Sequence, residues 1–251
     1  MSQRLTVRML VLAHRGASAL APENTMESFS LALDFKPDIF ELDVQFTRDG
    51  QVVVHHDPTI NRTSNGQGAV LDYTYDELKQ FSFHNGMPEY RGARIPLLEE
   101  VLQLAKGAGV QVNVEFKTTD PAIVPASLEI AAKCGMTEQV FYSSMTHWPL
   151  VTVLDHLPAA MIAPAHSANL IKPWLYAENM GAKAIHPKWT MLKTFPEYVD
   201  ECHARGIRVH VWTVDEEAPL EYLHAAGVDA VMSNRPDIAR AVIDRLDGLH
   251  A

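Results

Sequence analysis

The chain has 251 residues, of which 47% are hydrophobic and 21% charged, and its formal net charge is -10 at pH 7. This is the composition of a globular protein, and the length suffices for one barrel-sized domain. The acidic balance argues against nucleic acid or an anionic membrane as a partner, because either would favour a basic surface. An anionic small substrate would then need local positive charge or a bound cation.

The cysteines and the first residues bear on location. Cys134 and Cys202 are too few for a disulfide framework and are expected to be structural thiols. Residues 1–8 lead into the first apolar run without an apolar segment of secretory length. No apolar run approaches the roughly 20 residues of a membrane span. These features predict a cytoplasmic protein with no stable membrane association.

Nine short apolar runs with high β propensity follow one another, at residues 10–13, 39–44, 52–55, 111–116, 139–142, 160–163, 183–185, 208–212 and 229–232. Asp49-Gly50 lies between the second and third runs and is typical of a β-hairpin, so the third run is predicted to fold back on the second. Eight strands remain, most of them separated by helix-length segments. This alternation predicts an α/β fold, a closed (β/α)8 TIM barrel over residues 1–251. An open, doubly wound sheet is the alternative.

Helix signals support the alternation. Pro96 precedes an amphipathic run at 97–105, which Gly107 is predicted to close. Further helices are predicted at 121–133, 147–156, 169–179, 194–205, 216–226 and 236–247. Residues 58–95 break the rhythm, with one helix-like stretch at 75–81, and are interpreted as an insertion over one mouth of the barrel.

The end of the first strand joins an acid/base group to a fixed positive charge. His14, Arg15 and Gly16 follow the apolar run at 10–13 directly. The guanidinium of Arg15 presents a planar fork to a phosphate, and Gly16 would let the loop backbone approach that phosphate closely. The trio therefore suits phosphate chemistry.

Two later strands each place charged residues on one face. Glu41 and Asp43 are two residues apart, as are Glu115 and Lys117, and residues i and i+2 of a strand share a face. Barrel active sites lie at the C-terminal ends of the strands, so these groups are expected to converge with His14. Each alone could be a solvated surface residue. Paired acids on an inward face would repel unless a cation or a shared proton neutralised them.

Three carboxylates, Glu41, Asp43 and Glu115, are the candidate metal ligands. Without a Cys or a His-x-His pair they suit one hard divalent cation, Mg²⁺ or Ca²⁺, better than zinc. The choice between these two ions stays open. Lys117 adds a mobile point charge that, with Arg15, would hold a phosphate.

A second histidine follows the hairpin. His55 and His56 are adjacent, so strand alternation points them to opposite faces. His56 and His14 on two sides of a phosphodiester could act as general base and general acid, each typically worth about 10²- to 10⁴-fold. For His186 the sequence does not decide between a place in the pocket and a place in the core. The other histidines are expected to be surface or structural: His84, His147, His156, His166, His203, His210, His224 and His250.

Aromatic residues could supply an apolar wall to the pocket. Trp212 follows a strand and is a candidate substrate-binding residue, while Trp189 and Phe195 lie in a strand-to-helix loop. Packing between the barrel and its helices is the alternative for all three.

The order of motifs resembles that of the cytoplasmic bacterial glycerophosphodiester phosphodiesterases. The matching segments are HRG at 14–16, PENT at 22–25, ELDV at 41–44, TRDG at 47–50, HDPTINRTS at 56–64, IPLLEEVL at 95–102, EFK at 115–117, VWTV at 211–214, GVDA at 227–230 and NRPD at 234–237. They span the whole chain, and HRG, ELD, HD and ExK are jointly specific. The insertion at 58–95 also matches the family.

By this resemblance the chain would be a metal-dependent hydrolase of small-molecule glycerophosphodiesters, such as glycerophosphocholine, releasing glycerol 3-phosphate and an alcohol. The resemblance implies His14 and His56 as the acid/base pair, Glu41, Asp43 and Glu115 as metal ligands, and Arg15 and Lys117 as phosphate holders. It also implies a glycerol hydroxyl as internal nucleophile, through a cyclic phosphate. One departure is Ser233-Asn234-Arg235, where many relatives have Thr-Asp-Arg, and it leaves a polar role for the last strand end open.

Two alternatives remain. A phospholipase or sphingomyelinase D type enzyme would share the fold but act at membranes, for which an acidic chain without an exposed aromatic run at the mouth is poorly suited. A non-catalytic phosphate-ligand binder would be expected to have lost a histidine or a carboxylate, and none is missing from the pattern.

Overall fold

The computed structural model describes residues 8–249. The expectation about the first residues falls largely on residues 1–7, which lie outside the described residues, as does His250. The strands are β1 (Leu10–His14), β2 (Ile39–Phe46), β3 (Val52–Val54), β4 (Gln111–Phe116), β5 (Val140–Ser144), β6 (Ile162–His166), β7 (Ala184–Pro187), β8 (Arg208–Val211) and β9 (Ala230–Ser233).

Eight of these strands close into a parallel barrel. β1 pairs with both β2 and β9, and parallel pairs continue from β9 through β8, β7, β6, β5 and β4 back to β2. β3 pairs with β2 in antiparallel fashion, with Val54 opposite Val44. The predicted hairpin and the closed TIM barrel are therefore confirmed, and the open sheet is excluded.

The helices are α1 (Met26–Leu33), α2 (Tyr75–Leu78), α3 (Leu98–Ala108), α4 (Ile123–Lys133), α5 (Trp148–His156), α6 (Pro173–Asn179), α7 (Tyr198–His203), α8 (Glu217–Ala225) and α9 (Pro236–Leu246). Short 3-10 helices cover Val70–Asp72, Pro88–Tyr90 and Trp189–Lys193. Within residues 8–249, no helix combines the length and apolar character needed to cross a membrane.

Gly107 does not end α3, which corrects the prediction. The helix runs on to Ala108, and Gly109 caps it with a φ of +70°. Glycine tolerates that left-handed conformation because it has no Cβ. α6 also begins later than predicted, at Pro173, whose ring suits the first turn of a helix.

β5 and β6 extend beyond their apolar runs toward the C-terminal mouth. β5 continues through Ser143 and Ser144, whose hydroxyls donate to Asn113 Oδ1 at 3.1 Å and to the Phe116 carbonyl at 3.0 Å. Such polar strand ends were missed because the prediction counted apolar residues only.

The insertion at 58–95 builds a small apolar core of its own on the outside of β3. Ile60, Val70, Leu78 and Phe83 pack with Val53 of β3. Its covering of the barrel mouth stays a prediction.

Candidate active site

The turn after β1 presents His14 and Arg15 at the C-terminal mouth. Arg15 and Gly16 have φ angles of 56° and 84°. A Cβ at Gly16 would lie 2.4 Å from Ser28 Oγ and 2.6 Å from the Ser28 carbonyl carbon. Close packing against α1 therefore requires a glycine here, whereas the expected approach of the backbone to a phosphate stays a prediction.

Three carboxylates converge beside this turn. Asp43 pairs with Glu115 in the register of β2 and β4, and Glu41 lies two residues before Asp43 on the same face. One carboxylate oxygen from each lies within 4.8 Å of the others. Glu41 and Asp43 are fully buried, and Glu41 Oε1 has no hydrogen-bond partner. A buried oxygen without a donor and an all-carboxylate set fit a hard cation, so this cluster could hold a metal ion.

Two cations of the protein flank the cluster. Lys117 Nζ lies 2.6 Å from Glu115 Oε1 and 3.2 Å from Asp43 Oδ1. Arg15 Nε lies 3.3 Å from Asp43 Oδ2, which also accepts a 2.8 Å hydrogen bond from Asn24 Nδ2. Asp43 is therefore the carboxylate that the protein itself compensates best.

The pKa values of the three acids diverge accordingly. Burial, followed by the charge of Asp43, raises the pKa of Glu41 well above its ordinary value. Burial also raises the pKa of Glu115, although Lys117 opposes it. For Asp43 burial acts in the same direction, but Lys117 and Arg15 outweigh it and lower its pKa. The arrangement favours a proton or an added cation at the Glu41 end.

His14 lies between the cluster and the end of the last strand. Its Nε2 is 3.8 Å from Glu41 Oε2, and its Nδ1 is 2.6 Å from Asn234 Oδ1. Burial, reinforced by the charge of Arg15, lowers the pKa of His14 to about 4. A neutral imidazole is the form suited to accept a proton.

His56 contacts a carboxylate through its Nδ1, whereas His14 contacts the amide of Asn234. Its Nδ1 lies 2.7 Å from Asp57 Oδ1. Arg62 binds Asp57 Oδ2 at 2.7 Å and continues to Glu23 Oε2 at 2.6 Å. Glu23 in turn accepts a 2.9 Å hydrogen bond from Arg15. A chain of alternating charges thus links the His56 side of the mouth to the Arg15 side.

His55 points away from the site, as strand alternation predicts. Its Nε2 lies 3.1 Å from the Thr59 carbonyl oxygen, and its ring packs edge-on to Phe83 with centroids 5.8 Å apart. It is buried under the insertion.

The converging side chains surround one cavity of about 180 Å³ at the mouth. Its lining residues are His14, Arg15, His56, Glu115, Lys117, Met145, Ala165, His186, Trp212, Thr213 and Met232. The sequence did not decide whether His186 lines the pocket or packs in the core. The side chain does line this cavity, and its Nε2 lies 3.2 Å from His210 Nδ1 in the barrel interior. Trp212 lines the cavity while its Nε1 donates to the His186 carbonyl at 2.8 Å.

Trp189 and Phe195 do not line this cavity. Both are partly buried and pack against the main core, so of the two alternatives, packing between the barrel and its helices holds for these residues. The sequence placed them correctly in a strand-to-helix loop but could not tell which side of it they face.

An aromatic residue near the mouth is exposed. Trp148 begins α5 with 78% exposure, three residues after Met145 of the cavity lining, and Ile171 in the next loop is 88% exposed.

Several residues of the site were not singled out from the sequence. Glu23 and Asn24 support Arg15 and Asp43, although PENT was noted only as a motif. Asn234 contacts His14 although its departure from the family pattern left its role open. The first two contacts depend on the conformation of the loop after β1, and the third on the pairing of β9 with β1.

Comparison with known proteins identifies relatives. The model of the glycerophosphoryl diester phosphodiesterase family matches residues 14–238. A glycerophosphodiester phosphodiesterase of Caldanaerobacter subterraneus subsp. tengcongensis is 36% identical over 235 residues, covering 92% of this chain and 96% of the relative. One of Bacillus altitudinis is 35% identical, covering 91% and 96%.

Among solved structures, an Oleispira antarctica phosphodiesterase in complex with the product sn-glycerol-3-phosphate superposes with a TM-score of 0.87. It is 28% identical, and the match covers 94% of this chain and 97% of that one.

Proposed function

Since the chain belongs to the glycerophosphoryl diester phosphodiesterase family, we propose that it hydrolyses small-molecule glycerophosphodiesters to glycerol 3-phosphate and an alcohol by metal-dependent catalysis with His14 and His56. The observation that carries this proposal is that both histidines line one cavity with Arg15 and Lys117, beside a three-carboxylate cluster. The relative from Oleispira antarctica with bound sn-glycerol-3-phosphate supports the choice of product.

The phosphate is held by Arg15 and Lys117. The guanidinium can bind two phosphoryl oxygens at once, and the ammonium adds a second positive charge. Bound at Glu41, Asp43 and Glu115, Mg²⁺ or Ca²⁺ would supply Lewis-acid stabilisation of the charge that develops on phosphorus-bound oxygens. Trp212 offers an apolar surface to the carbon part of the substrate.

The two histidines divide the proton transfers. His14 accepts the proton of the attacking hydroxyl at Nε2, because its Nδ1 is engaged by Asn234. His56 gives a proton from Nε2 to the leaving alkoxide, because its Nδ1 is held by the Asp57 carboxylate and its Nε2 is left to face the substrate. The attacking hydroxyl is that of the glycerol, so the alcohol leaves as a cyclic phosphate forms. Water then opens the ring with the two histidines in exchanged roles, and in each step one P–O bond forms as another breaks.

The setting of the enzyme is also proposed. Free, buried thiols at Cys134 and Cys202 agree with a reducing compartment, so we place it in the cytoplasm, without stable membrane association and without nucleic acid as a partner.

The experiment is a product assay on a panel of glycerophosphodiesters, including the choline and ethanolamine esters, with added Mg²⁺ or Ca²⁺. Release of glycerol 3-phosphate in equal amount to the alcohol is expected. Release of phosphocholine instead would contradict the assigned cleavage. Binding of glycerol 3-phosphate without any turnover would indicate a non-catalytic binder.

A further inference from the structure

Asn234, at the end of the last barrel strand, has both ends of its side-chain amide engaged. Its Oδ1 lies 2.6 Å from His14 Nδ1, and its Nδ2 lies 2.8 Å from Asp215 Oδ2. The side chain therefore connects the candidate base to an aspartate of the loop after β8. No motif of the sequence assigned either residue a role.

Asp215 decides which way the amide faces. Its Oδ1 already accepts hydrogen bonds from the backbone N–H of Asn234 at 2.7 Å and from Ser233 Oγ at 3.0 Å. The Ser233 hydroxyl has its proton available for this bond because its oxygen accepts the Arg235 N–H at 3.1 Å. A carboxylate with these donors is an acceptor, so it requires the NH₂ group of Asn234 to face it.

The consequence reaches His14. With its NH₂ group held by Asp215, Asn234 can offer only its carbonyl oxygen to Nδ1, and Nδ1 must then carry the proton. Nε2 keeps its lone pair, and this is the atom on the Glu41 side of the ring. Ser18 does not decide the orientation, since its hydroxyl lies within hydrogen-bond distance of both Asn234 Oδ1 and the His14 carbonyl and can donate or accept.

We propose that Asn234 and Asp215 are positioning residues that hold the neutral His14 in the Nδ1–H tautomer, so that Nε2 is available as the base. The tautomer follows from the hydrogen bonds alone, while its effect on turnover rests on the proposed function. Fixing a histidine tautomer through a hydrogen bond to the other ring nitrogen is a recognised requirement for acid/base work.

The arrangement makes a specific prediction for exchanging the two side chains. In Asp215→Asn, the new amide would direct its oxygen to the two donors at Oδ1 and its NH₂ group to Asn234. Two NH₂ groups would then face each other, which Asn234 relieves by turning its own amide over. That turn presents an NH₂ group to His14 Nδ1 and selects the Nε2–H tautomer. In the double variant Asn234→Asp/Asp215→Asn, the carboxylate at position 234 accepts hydrogen bonds both from the NH₂ group at position 215 and from His14 Nδ1. The Nδ1–H tautomer of His14 therefore returns.

The first measurement is the tautomer itself. Two-bond ¹H–¹⁵N correlation spectra of histidine-labelled protein distinguish Nδ1–H from Nε2–H, and the spectrum of His14→Gln identifies the His14 signals. Nδ1–H is expected in the wild type, Nε2–H in Asp215→Asn, and Nδ1–H in the exchanged double variant. An Nε2–H signal from His14 in the wild type would overturn the proposal. This outcome depends neither on enzyme activity nor on the stability of Asp215→Asn or the double variant.

The second measurement is kinetic, with glycerophosphocholine and added metal. Asp215→Asn is expected to lower kcat by about 10²-fold with KM within about threefold, and the double variant to recover to within about tenfold of the wild type. Asp229→Asn is the matched control, because Asp229 accepts from the Val209 N–H at 2.7 Å at the opposite end of the barrel. A double variant as slow as Asp215→Asn would contradict the tautomer mechanism. A wild type without turnover would contradict the proposed function while leaving the tautomer measurement valid.

Discussion

Lys117 Nζ lies 3.2 Å from Asp43 Oδ1, so a candidate phosphate-binding ammonium also compensates a candidate metal ligand. Asp43 and then Glu115 raise the pKa of this lysine despite the opposing effect of burial. The lysine therefore stays charged, and its removal has two measurable consequences.

Lys117→Gln should lower kcat/KM by about 10- to 10²-fold, because one charge-assisted hydrogen bond to the phosphate is lost. In EDTA the variant should also melt below the wild type, since the carboxylates lose their neighbouring cation. Steady-state kinetics and thermal denaturation test both. Lys133→Gln, at an exposed site, is the control. An unchanged kcat/KM would show that Lys117 does not hold the substrate.

Glu41→Gln should weaken the binding of Mg²⁺ or Ca²⁺ by about tenfold or more without destabilising the metal-free fold. The reason is that Glu41 is buried next to Asp43, so that its ionised form is unfavourable in the absence of a cation. Calorimetric titration and melting in EDTA measure the two quantities, with exposed Glu99→Gln as the control. A melting temperature well below that of the wild type in EDTA would contradict this interpretation.

His56→Ala should cost about 10² or more in kcat, with a smaller loss for p-nitrophenyl esters, whose leaving group needs no proton. His55→Ala should stay within about threefold of the wild-type kcat, because its ring faces Thr59 and Phe83 instead of the cavity. The kcat of both variants on one alkyl and one nitrophenyl substrate tests which histidine protonates the leaving group. A severe loss of kcat confined to His55→Ala would assign that role to His55 instead of His56.

The barrel was predictable because alternating apolar runs and helix signals are local features of the sequence. The convergence of Glu41, Asp43 and Glu115 followed from strand periodicity and from the rule that barrel sites lie at strand ends. The hairpin at Asp49-Gly50 followed from turn chemistry.

What the sequence could not supply were partners distant along the chain. Asn234 meets His14 only because β9 closes the barrel against β1. Arg62 reaches Glu23 only because the insertion folds back over the hairpin. Trp189 and Phe195 show the same limit, since the direction in which a loop side chain points depends on packing rather than on periodicity.

Acid should weaken the fold through a buried histidine. Burial lowers the pKa of His210 to about 4, against 6.5 in the unfolded chain. The unfolded state therefore binds more protons below pH 6.5, so this contribution to stability is present above pH 6.5 and is lost as the pH falls toward 4. Between pH 7 and pH 5 the loss should be about 2 kcal/mol.

Urea denaturation of the wild type and His210→Leu at both pH values measures this effect. The variant should lose about 2 kcal/mol less than the wild type over the same interval. Comparing the two removes the opposite-signed contribution of Glu41, whose raised pKa favours the protonated form at lower pH. His156→Leu, which removes an exposed imidazole, is the control. Equal losses in wild type and His210→Leu would exclude His210 as the source.

The most direct test of the account is the rate of glycerol 3-phosphate release from glycerophosphocholine before chelation, after removal of divalent ions with EDTA, and after readdition of Mg²⁺ or Ca²⁺. We expect turnover to vanish on chelation and to return with either or both ions, and Asp43→Asn to show no such recovery. Full turnover in metal-free buffer would contradict the assignment of Glu41, Asp43 and Glu115 as a catalytic metal site.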